Sequence, residues 1–267
     1  MWIFKIHKIY HCINIYFFSQ PNISLIYNKG IFMRKFNILL LFFMISCSFS
    51  FIVFPEAKFC SAISSDTTPA DTVPSRNYTI VIDAGHGGSD PGSIGYKTKV
   101  KEADLNLKLS KMLQQKLEGA GINVIMTRTD ENSLAQGSGK KFKKIDMELR
   151  KELIKKVRPN MVISMHHNSY TKHNLHGAQV FYDKTSPISK EIAECIQSEF
   201  ISNLSSSTKT TSPGDYFMLK CTTAPSVIVE CGFLSNEAEE KLLLTEDYQE
   251  QIIDCIYKGI IKFLQIK

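Results

Sequence analysis

Two patterns that often indicate a function are missing from this sequence. The 267 residues carry a formal net charge of +6 but contain no long block of lysine and arginine, which argues against a nucleic-acid-binding protein. No two of the seven cysteines are spaced as Cys-x-x-Cys, which argues against a structural zinc knuckle. The cysteines beyond the N-terminal region have small apolar neighbours, so we expect buried thiols rather than disulfides at Cys195, Cys221, Cys231 and Cys255.

The N-terminal region is expected to lie outside the folded part of the chain. Arg34 and Lys35 precede an uncharged run over residues 38–54, which predicts a signal peptide or an N-terminal membrane anchor. An export signal normally begins a protein, so the residues before Met33 are interpreted as an upstream extension of the gene model. A polar, proline-containing linker follows the signal. The predicted extension, signal or anchor, linker and folded domain are residues 1–32, 33–62, 63–76 and 77–267.

Strand and helix patterns alternate through the predicted domain. Short apolar runs predict strands at residues 79–82, 122–127, 161–165, 177–182, 216–220 and 226–229. Apolar residues at helical spacing predict helices at residues 102–118, 145–157, 189–204 and 247–264. This alternation predicts a single layered α/β domain with a largely parallel central sheet.

Three chemically reactive side chains directly follow predicted strands: His86, His166 and Glu230. Ligands of such sheets gather at the carboxyl ends of the strands. Two histidines and one carboxylate are a common ligand set of a hydrolytic zinc ion. The third ligand could be Glu230 or Glu102, which begins the first predicted helix.

Each of these residues also has a structural interpretation. A lone histidine after a strand is commonly a hydrogen-bonding residue, and Glu102 could be a first-turn acid that the helix dipole favours. Glu230 could pair with a buried arginine, although burial in VIVEC would raise its pKa and so suit a general base. A phosphate-binding loop at His86 is excluded because GHGGSDPG lacks the lysine of a P-loop. The joint occurrence of these residues favours the functional interpretation.

Four motifs occur in a recognisable order: IDAGHGGSDPG, KEADLNL, SMHHNS and VECGFLSN. In this order they resemble the zinc-dependent N-acetylmuramoyl-L-alanine amidases of the type-three amidase family, and the resemblance covers essentially the whole predicted domain. It implies that His86, Glu102 and His166 bind Zn²⁺ and that Glu230 is the catalytic glutamate. It also implies a twisted, mixed sheet flanked by helices on both faces.

The resemblance implies hydrolysis of the amide bond between the lactyl group of N-acetylmuramic acid and the L-alanine of the stem peptide in peptidoglycan. The segments GAQVFYD and LLLTEDYQEQIIDCIYKGI look most similar to sporulation amidases of endospore-forming bacteria, which implies action in the spore cortex as the first step toward muramic-δ-lactam. Export would place the enzyme in the cell envelope or in the space around the forespore. The alternatives are another zinc hydrolase of the envelope, such as a carboxypeptidase or a sugar deacetylase, and a non-catalytic wall-binding domain.

Two positions depart from the pattern of the family. His167 stands where many members carry a small or aliphatic residue, and Cys231 stands where leucine or valine is common. The extra imidazole could compete at the metal, but on an extended chain it is expected to point away from His166. The sequence shows no wall-binding repeat and no insertion long enough to act as an autoinhibitory helix. The expected partners are therefore glycan strands with stem peptides and a separate regulatory protein, with no nucleic acid, and with a membrane only through the N-terminal segment.

Overall fold

The computed structural model describes residues 78–204 and 209–266, which contain six strands, all but the shortest built on apolar runs. The strands are β1 (Thr79–Ala84), β2 (Asn123–Met126), β3 (Met161–Asn168), β4 (Gln179–Tyr182), β5 (Ser212–Pro213) and β6 (Ser226–Phe233). They form one sheet in the order β2-β1-β3-β6-β4-β5. Neighbours among β2, β1, β3 and β6 are parallel, β4 is antiparallel to β6, and β5 is parallel to β4. The predicted α/β domain with a largely parallel, mixed sheet is confirmed.

Helices cover both faces of the sheet because its central strands are apolar on both sides. The helices are α1 (Glu102–Gly119), α2 (Gly139–Val157), α3 (Pro187–Asn203), α4 (Phe217–Lys220), α5 (Glu237–Leu243) and α6 (Glu246–Ile266). Ile80 and Ile82 of β1 belong to the larger core, which includes side chains of α1, α3 and α6. Val81 faces the other way, into a smaller core with side chains of α2 and α4.

Both strands that carry predicted site residues are longer than predicted. β3 and β6 continue past their apolar runs, so His166 and Glu230 lie within strands rather than after them. The two residues are paired in register across the ladder. Parallel pairing with a neighbour therefore extends the strands through polar residues, which hydrophobic periodicity does not detect.

Helix assignment from the sequence was wrong in three places. The segment from Tyr216 to Lys220 was predicted as a strand but contains α4, in which the adjacent residues Met218 and Leu219 are both buried. Consecutive residues of a strand would point to opposite faces, whereas one helical turn turns both inward. α2 begins at Gly139 rather than at residue 145, since buried Phe142 lies among lysines that obscure the pattern. The short helix α5 was not predicted, although Asn236 caps it.

A buried charged cluster joins the end of β1 to α2. Arg150 is 1% exposed, and it donates from Nη1 to Asp83 Oδ1 and from Nε to Asp146 Oδ2, both at 2.7 Å. Ser164 of β3 donates to Asp83 Oδ2 at 2.6 Å. Burial alone would raise the pKa of Asp83, but the charge of Arg150 and the Ser164 hydroxyl hold this pKa below its usual range. Asp83 therefore stays ionised inside the protein, opposite the Arg150 cation.

No helix among residues 78–204 and 209–266 is both long enough and apolar enough to span a bilayer. The predicted upstream extension, signal or anchor and linker (1–32, 33–62 and 63–76) lie outside the described residues. The four cysteines of the domain are free thiols; Cys231 and Cys255 are buried as expected, whereas Cys195 and Cys221 are only half-buried.

Replacing Arg150 with methionine should lower the free energy of unfolding by about 3–5 kcal/mol, because it leaves two buried carboxylates without their cation. Urea unfolding of the purified protein, followed by circular dichroism, measures this change. Lys151→Met is the matched control, since its ion pair with Glu148 lies at the surface and contributes little. Equal stability of the two variants would contradict a stabilising role for the cluster.

Candidate metal centre

The loop after β1 holds His86 in an unusual backbone conformation. His86 has φ 62°, in the left-handed region that non-glycine residues rarely adopt. Its carbonyl accepts a hydrogen bond of 2.6 Å from Arg150 Nη2. Arg128 donates to the carbonyls of Ala84 and Gly85 at 2.9 and 3.0 Å. These three hydrogen bonds fix the backbone, which places the imidazole of His86 over the carboxyl edge of the sheet.

Glycine permits the close approach of the two histidines and the glutamate. A Cβ on Gly85 would lie 2.3 Å from Nε2 of His166. A Cβ on Gly92 would lie 2.6 Å from Oε2 of Glu102 and 2.7 Å from Cδ2 of His86, and Gly92 itself has φ +68°. Neither position has room for any other residue, so the glycines of the AGHGGSDPG loop are required by contact as well as by turn geometry.

The carboxylate of Glu102 contacts both histidines of the site. Glu102 is the first residue of α1 and is 3% exposed. Its carboxylate accepts from the backbone N–H of Ser93 at 2.8 Å and from the backbone N–H of His167 at 3.2 Å. Burial alone would raise its pKa, but hydrogen bonds to His166 and His86 outweigh burial and hold the pKa far below the usual range. Glu102 is therefore an ionised carboxylate at neutral pH.

Both histidines direct a ring nitrogen at the same carboxylate oxygen. His166 Nδ1 lies 2.9 Å and His86 Nε2 lies 3.2 Å from Glu102 Oε1. The ligand atoms of the three residues all lie within 4.8 Å of one another, and no other such group of His, Cys, Asp or Glu occurs in the part of the chain that the structure describes. Two ligand atoms, each about 2.1 Å from a tetrahedral ion, are separated by about 3.4 Å, close to these distances.

Asp90 determines which ring nitrogen of His86 is left unprotonated and able to bind a metal. Its Oδ2 lies 2.9 Å from His86 Nδ1, and since a carboxylate only accepts, Nδ1 carries the proton. In the neutral imidazole, Nε2 then presents a lone pair toward the Glu102 carboxylate, an arrangement that a shared cation would stabilise. A carboxylate on the far nitrogen of a metal-binding histidine is a common means of orienting it. The donor set thus fits a divalent cation.

Glu230 lies beside this group without belonging to it. It points from β6 to the same face of the sheet as His166, its partner in the β3–β6 register. Its Oε2 is buried and has no hydrogen-bond partner among the described residues. Burial raises the pKa of Glu230 to about 7, and the charge of His166 only partly opposes that rise. A carboxyl group with this pKa can accept and return a proton near neutral pH.

His167 lies on the opposite face of β3. It is 2% exposed, its Nδ1 lies 2.8 Å from Asn106 Oδ1, and burial lowers its pKa to about 4. Asn106 in turn donates to the Gly85 carbonyl at 3.1 Å and to Glu102 Oε1 at 3.3 Å. The extra imidazole therefore supports a neighbour of Glu102 and does not face the ligand cluster.

Sequence reasoning missed several residues that position the site. Arg128 lies just after β2, and the strand-end rule that selected His86 would have selected it too. Arg150 lies within the helix predicted at residues 145–157, where no sequence pattern indicates its contact with the His86 carbonyl. Asp90 and Asn106 stand in a loop and in a helix where no periodic pattern distinguishes them.

A cavity of about 490 Å³ opens onto the cluster. Its walls are mainly polar and include Ser93, Lys143, Asn168, Ser169 and Glu230. Lys143 Nζ lies 2.9 Å from Asp90 Oδ2. The cavity is large enough for a substituted amide to reach both Glu230 and the cluster.

Comparison with known proteins gives consistent matches. The profile of the N-acetylmuramoyl-L-alanine amidase family matches residues 80–262. The germination-specific N-acetylmuramoyl-L-alanine amidase of Bacillus subtilis (strain 168) is 32% identical over 208 residues, which are 76% of this chain and 87% of that protein.

Two solved structures show the same fold. The CwlD amidase from Clostridioides difficile, solved in complex with the GerS lipoprotein, is 39% identical with a TM-score of 0.69, and the alignment covers 72% of this chain and 100% of that chain. An N-acetylmuramoyl-L-alanine amidase from Clostridium difficile 630 is 28% identical with a TM-score of 0.65, covering 72% and 98% of the two chains.

Gly85→Ala should weaken divalent cation binding about tenfold or more, because the new methyl group displaces the His166 imidazole. Competition with a chromophoric chelator measures the Zn²⁺ affinity. Gly119→Ala is the control, since a Cβ there meets nothing within 4 Å. If Gly85→Ala bound Zn²⁺ as tightly as Gly119→Ala, His166 would not belong to the metal site.

Proposed function

The chain belongs to the N-acetylmuramoyl-L-alanine amidase family, a family of metal-dependent hydrolases of peptidoglycan, and on this premise we propose that His86, Glu102 and His166 hold a zinc ion and that Glu230 is the catalytic residue. The observation that carries the proposal is the convergence of three ligand atoms beside a buried carboxyl group with a raised pKa. The family match favours amide hydrolysis over the carboxypeptidase, deacetylase and wall-binding alternatives.

Two imidazole nitrogens and one carboxylate oxygen suit zinc and leave one coordination position open. When bound, zinc supplies Lewis acidity, which lowers the pKa of a water molecule and polarises a carbonyl group. The chain's own residues prepare this site: Asp90 holds the His86 ring, and Asn106 and the Ser93 amide hold the Glu102 carboxylate.

In this proposal Glu230 acts first as the general base and then as the general acid. Its carboxylate accepts a proton from the attacking water, whose oxygen forms the new bond to the lactyl carbonyl carbon. The carbon–nitrogen bond then breaks, and Glu230 returns the proton to the nitrogen of the departing L-alanine. The products are a glycan with a free lactyl carboxylic acid and a peptide with a new L-alanine amino terminus. A pKa near 7 allows one residue to take both roles.

We place this reaction in the spore cortex, as the first step toward muramic-δ-lactam. The similarity to the germination-specific amidase and to CwlD supports this placement. A separate enzyme would complete the lactam. Export through residues 33–62 would bring the protein to the cell envelope, and several relatives are named as cell wall amidases.

A separate protein is the proposed regulator of this chain. CwlD was solved in complex with the lipoprotein GerS, so a protein of that kind is the partner we propose here.

Glu230→Gln should abolish hydrolysis while zinc remains bound, because the amide cannot accept the proton but occupies the same space. His86→Ala should lose the zinc. Inductively coupled plasma mass spectrometry gives the zinc content, and mass spectrometry of digested peptidoglycan detects peptides with an L-alanine amino terminus. Wild-type turnover by Glu230→Gln would contradict the catalytic role of Glu230. Full zinc occupancy in His86→Ala would contradict the role of His86 as a zinc ligand.

If the proposed cortex role holds, a chromosomal Glu230→Gln substitution should give spores whose cortex muramic acid residues keep their stem peptides and contain no δ-lactam. Muropeptide analysis of purified spores measures both species. Vegetative walls of the same strain serve as the control and should be unchanged. Normal lactam content in the mutant spores would exclude the cortex role. It would not bear on the proposal that the protein is an amidase.

A further inference from the structure

A second, smaller cavity adjoins the metal centre. Its volume is about 180 Å³, and it shares with the walls of the larger cavity the residues His86, Asp90, Lys143, His166, Tyr216 and Ile228. Its own walls come from α2, from α4 with the residue before it, and from β6. We call this cavity the apolar slot, after the side chains that give it its character: Phe142, Met147, Tyr216, Phe217, Met218 and Ile228.

The polar groups at the base of the slot are already engaged. Asp83, Asp146 and Arg150 also line it, but they are paired with one another in the buried charged cluster. Asp90 and Lys143 line it as well, and they are paired with each other at 2.9 Å. A ligand entering the slot therefore meets hydrocarbon and aromatic surface. Such a cavity favours an apolar group and rejects a charged one.

Aromatic rings stand at the mouth of the slot. Tyr216 is 43% and Phe217 is 41% exposed, although large apolar side chains are usually covered in a protein core. Gly214 lies against the Tyr216 ring, because a Cβ there would come within 2.5 Å of Cδ2. Phe181 contacts the same ring edge-on, with centroids 5.5 Å apart. The Tyr216 ring is thus held in place while one side remains open to the solvent.

The bond that the enzyme hydrolyses joins two chemically different groups. On the nitrogen side is a peptide with amides and carboxylates, and on the carbonyl side are a lactyl methyl group and a sugar ring. Glu230, which must reach the nitrogen, lines the larger polar cavity together with Asn168 and Ser169 but does not line the slot. The peptide side therefore matches the polar cavity, and the carbonyl side matches the slot.

We propose that the apolar slot is the muramoyl subsite: it takes the lactyl methyl group, and the exposed rings of Tyr216 and Phe217 carry the sugar. The proposal rests on the proposed amide hydrolysis and adds to it the residues that select the glycan side of the substrate. A hydrophobic pocket discriminates one methyl group by on the order of tenfold or more.

The test uses two muramoyl peptides that differ by one methyl group, the natural 3-O-lactyl compound and its 3-O-carboxymethyl analogue. The wild-type enzyme should prefer the lactyl compound in kcat/KM by on the order of tenfold. Met147→Phe fills the slot and Phe217→Ala opens its mouth, so each should reduce this preference to about twofold or less. The controls are Met112→Phe, a partly buried methionine on the other face of the sheet, and Leu242→Ala, with comparable exposure at 44%.

Binding measurements separate this proposal from the proposed hydrolysis. Calorimetry with Glu230→Gln, which does not turn over, should show the same methyl-dependent affinity and its loss when Met147→Phe or Phe217→Ala is added. Methyl-dependent binding without any hydrolysis by the wild type would contradict the proposed function and support the slot. An unchanged lactyl preference in both slot variants would overturn the slot assignment. Substrates with glycine in place of L-alanine give a further check. If the two slot variants lost a preference for L-alanine over glycine and kept the lactyl preference, the slot would hold the peptide side, and this result would also overturn the assignment.

Discussion

Hydrogen bonds from two buried arginines to the carbonyl groups that end β1 are the interaction on which the metal centre depends. Gly85 and His86 lie beyond Ala84, the last β1 residue that pairs with β3, and Asn106 donates a further hydrogen bond to the Gly85 carbonyl. Arg150 and Arg128 supply rigid guanidinium donors to the carbonyls of Ala84, Gly85 and His86. The charge of Arg150 is balanced in turn by Asp83 and Asp146, so the fold tolerates a cation at its centre. The left-handed conformation of His86 is then a result of ordinary hydrogen-bond satisfaction in the core.

Glu102 connects the loop part of the site to the sheet part. It accepts hydrogen bonds from Ser93 in the loop and from His167 in β3, and its side chain faces both histidines. A chain segment that begins a helix therefore sets the distance between two elements far apart in sequence. The polar cavity beside Glu230 and the apolar slot beside α4 open from this point in different directions. The arrangement assigns different parts of one substrate to surfaces of different polarity.

Sequence patterns predicted most of the fold and selected His86 and His166, whereas the choice of Glu102 over Glu230 as the third member of the cluster came from the family resemblance. Most of the strands are short apolar runs. His86 is followed directly by Gly-Gly, and Glu102 stands at the start of an amphipathic helix. The helix at Phe217 was mistaken for a strand because four apolar residues are too few to show a period. The ends of β3 and β6 were missed because ladder pairing, not side-chain polarity, extends them through His166 and Glu230. Arg128 follows a predicted strand and could have been selected by the strand-end rule, whereas no periodic pattern distinguishes Asp90 or Asn106.

His166 and Glu230 occupy paired positions on neighbouring parallel strands, and the register changes immediately afterwards, between His166 and Asn168. Adjacent strands lie about 4.8 Å apart because of main-chain hydrogen bonding, whatever the side chains are. The backbone of the sheet therefore fixes the distance between these two residues. A shift of the ladder by one residue would turn one of the two side chains to the far face, so no intermediate spacing is available. Insertions or deletions in the loops around this pair would leave its spacing unchanged, whereas a shift of the ladder would separate the two side chains.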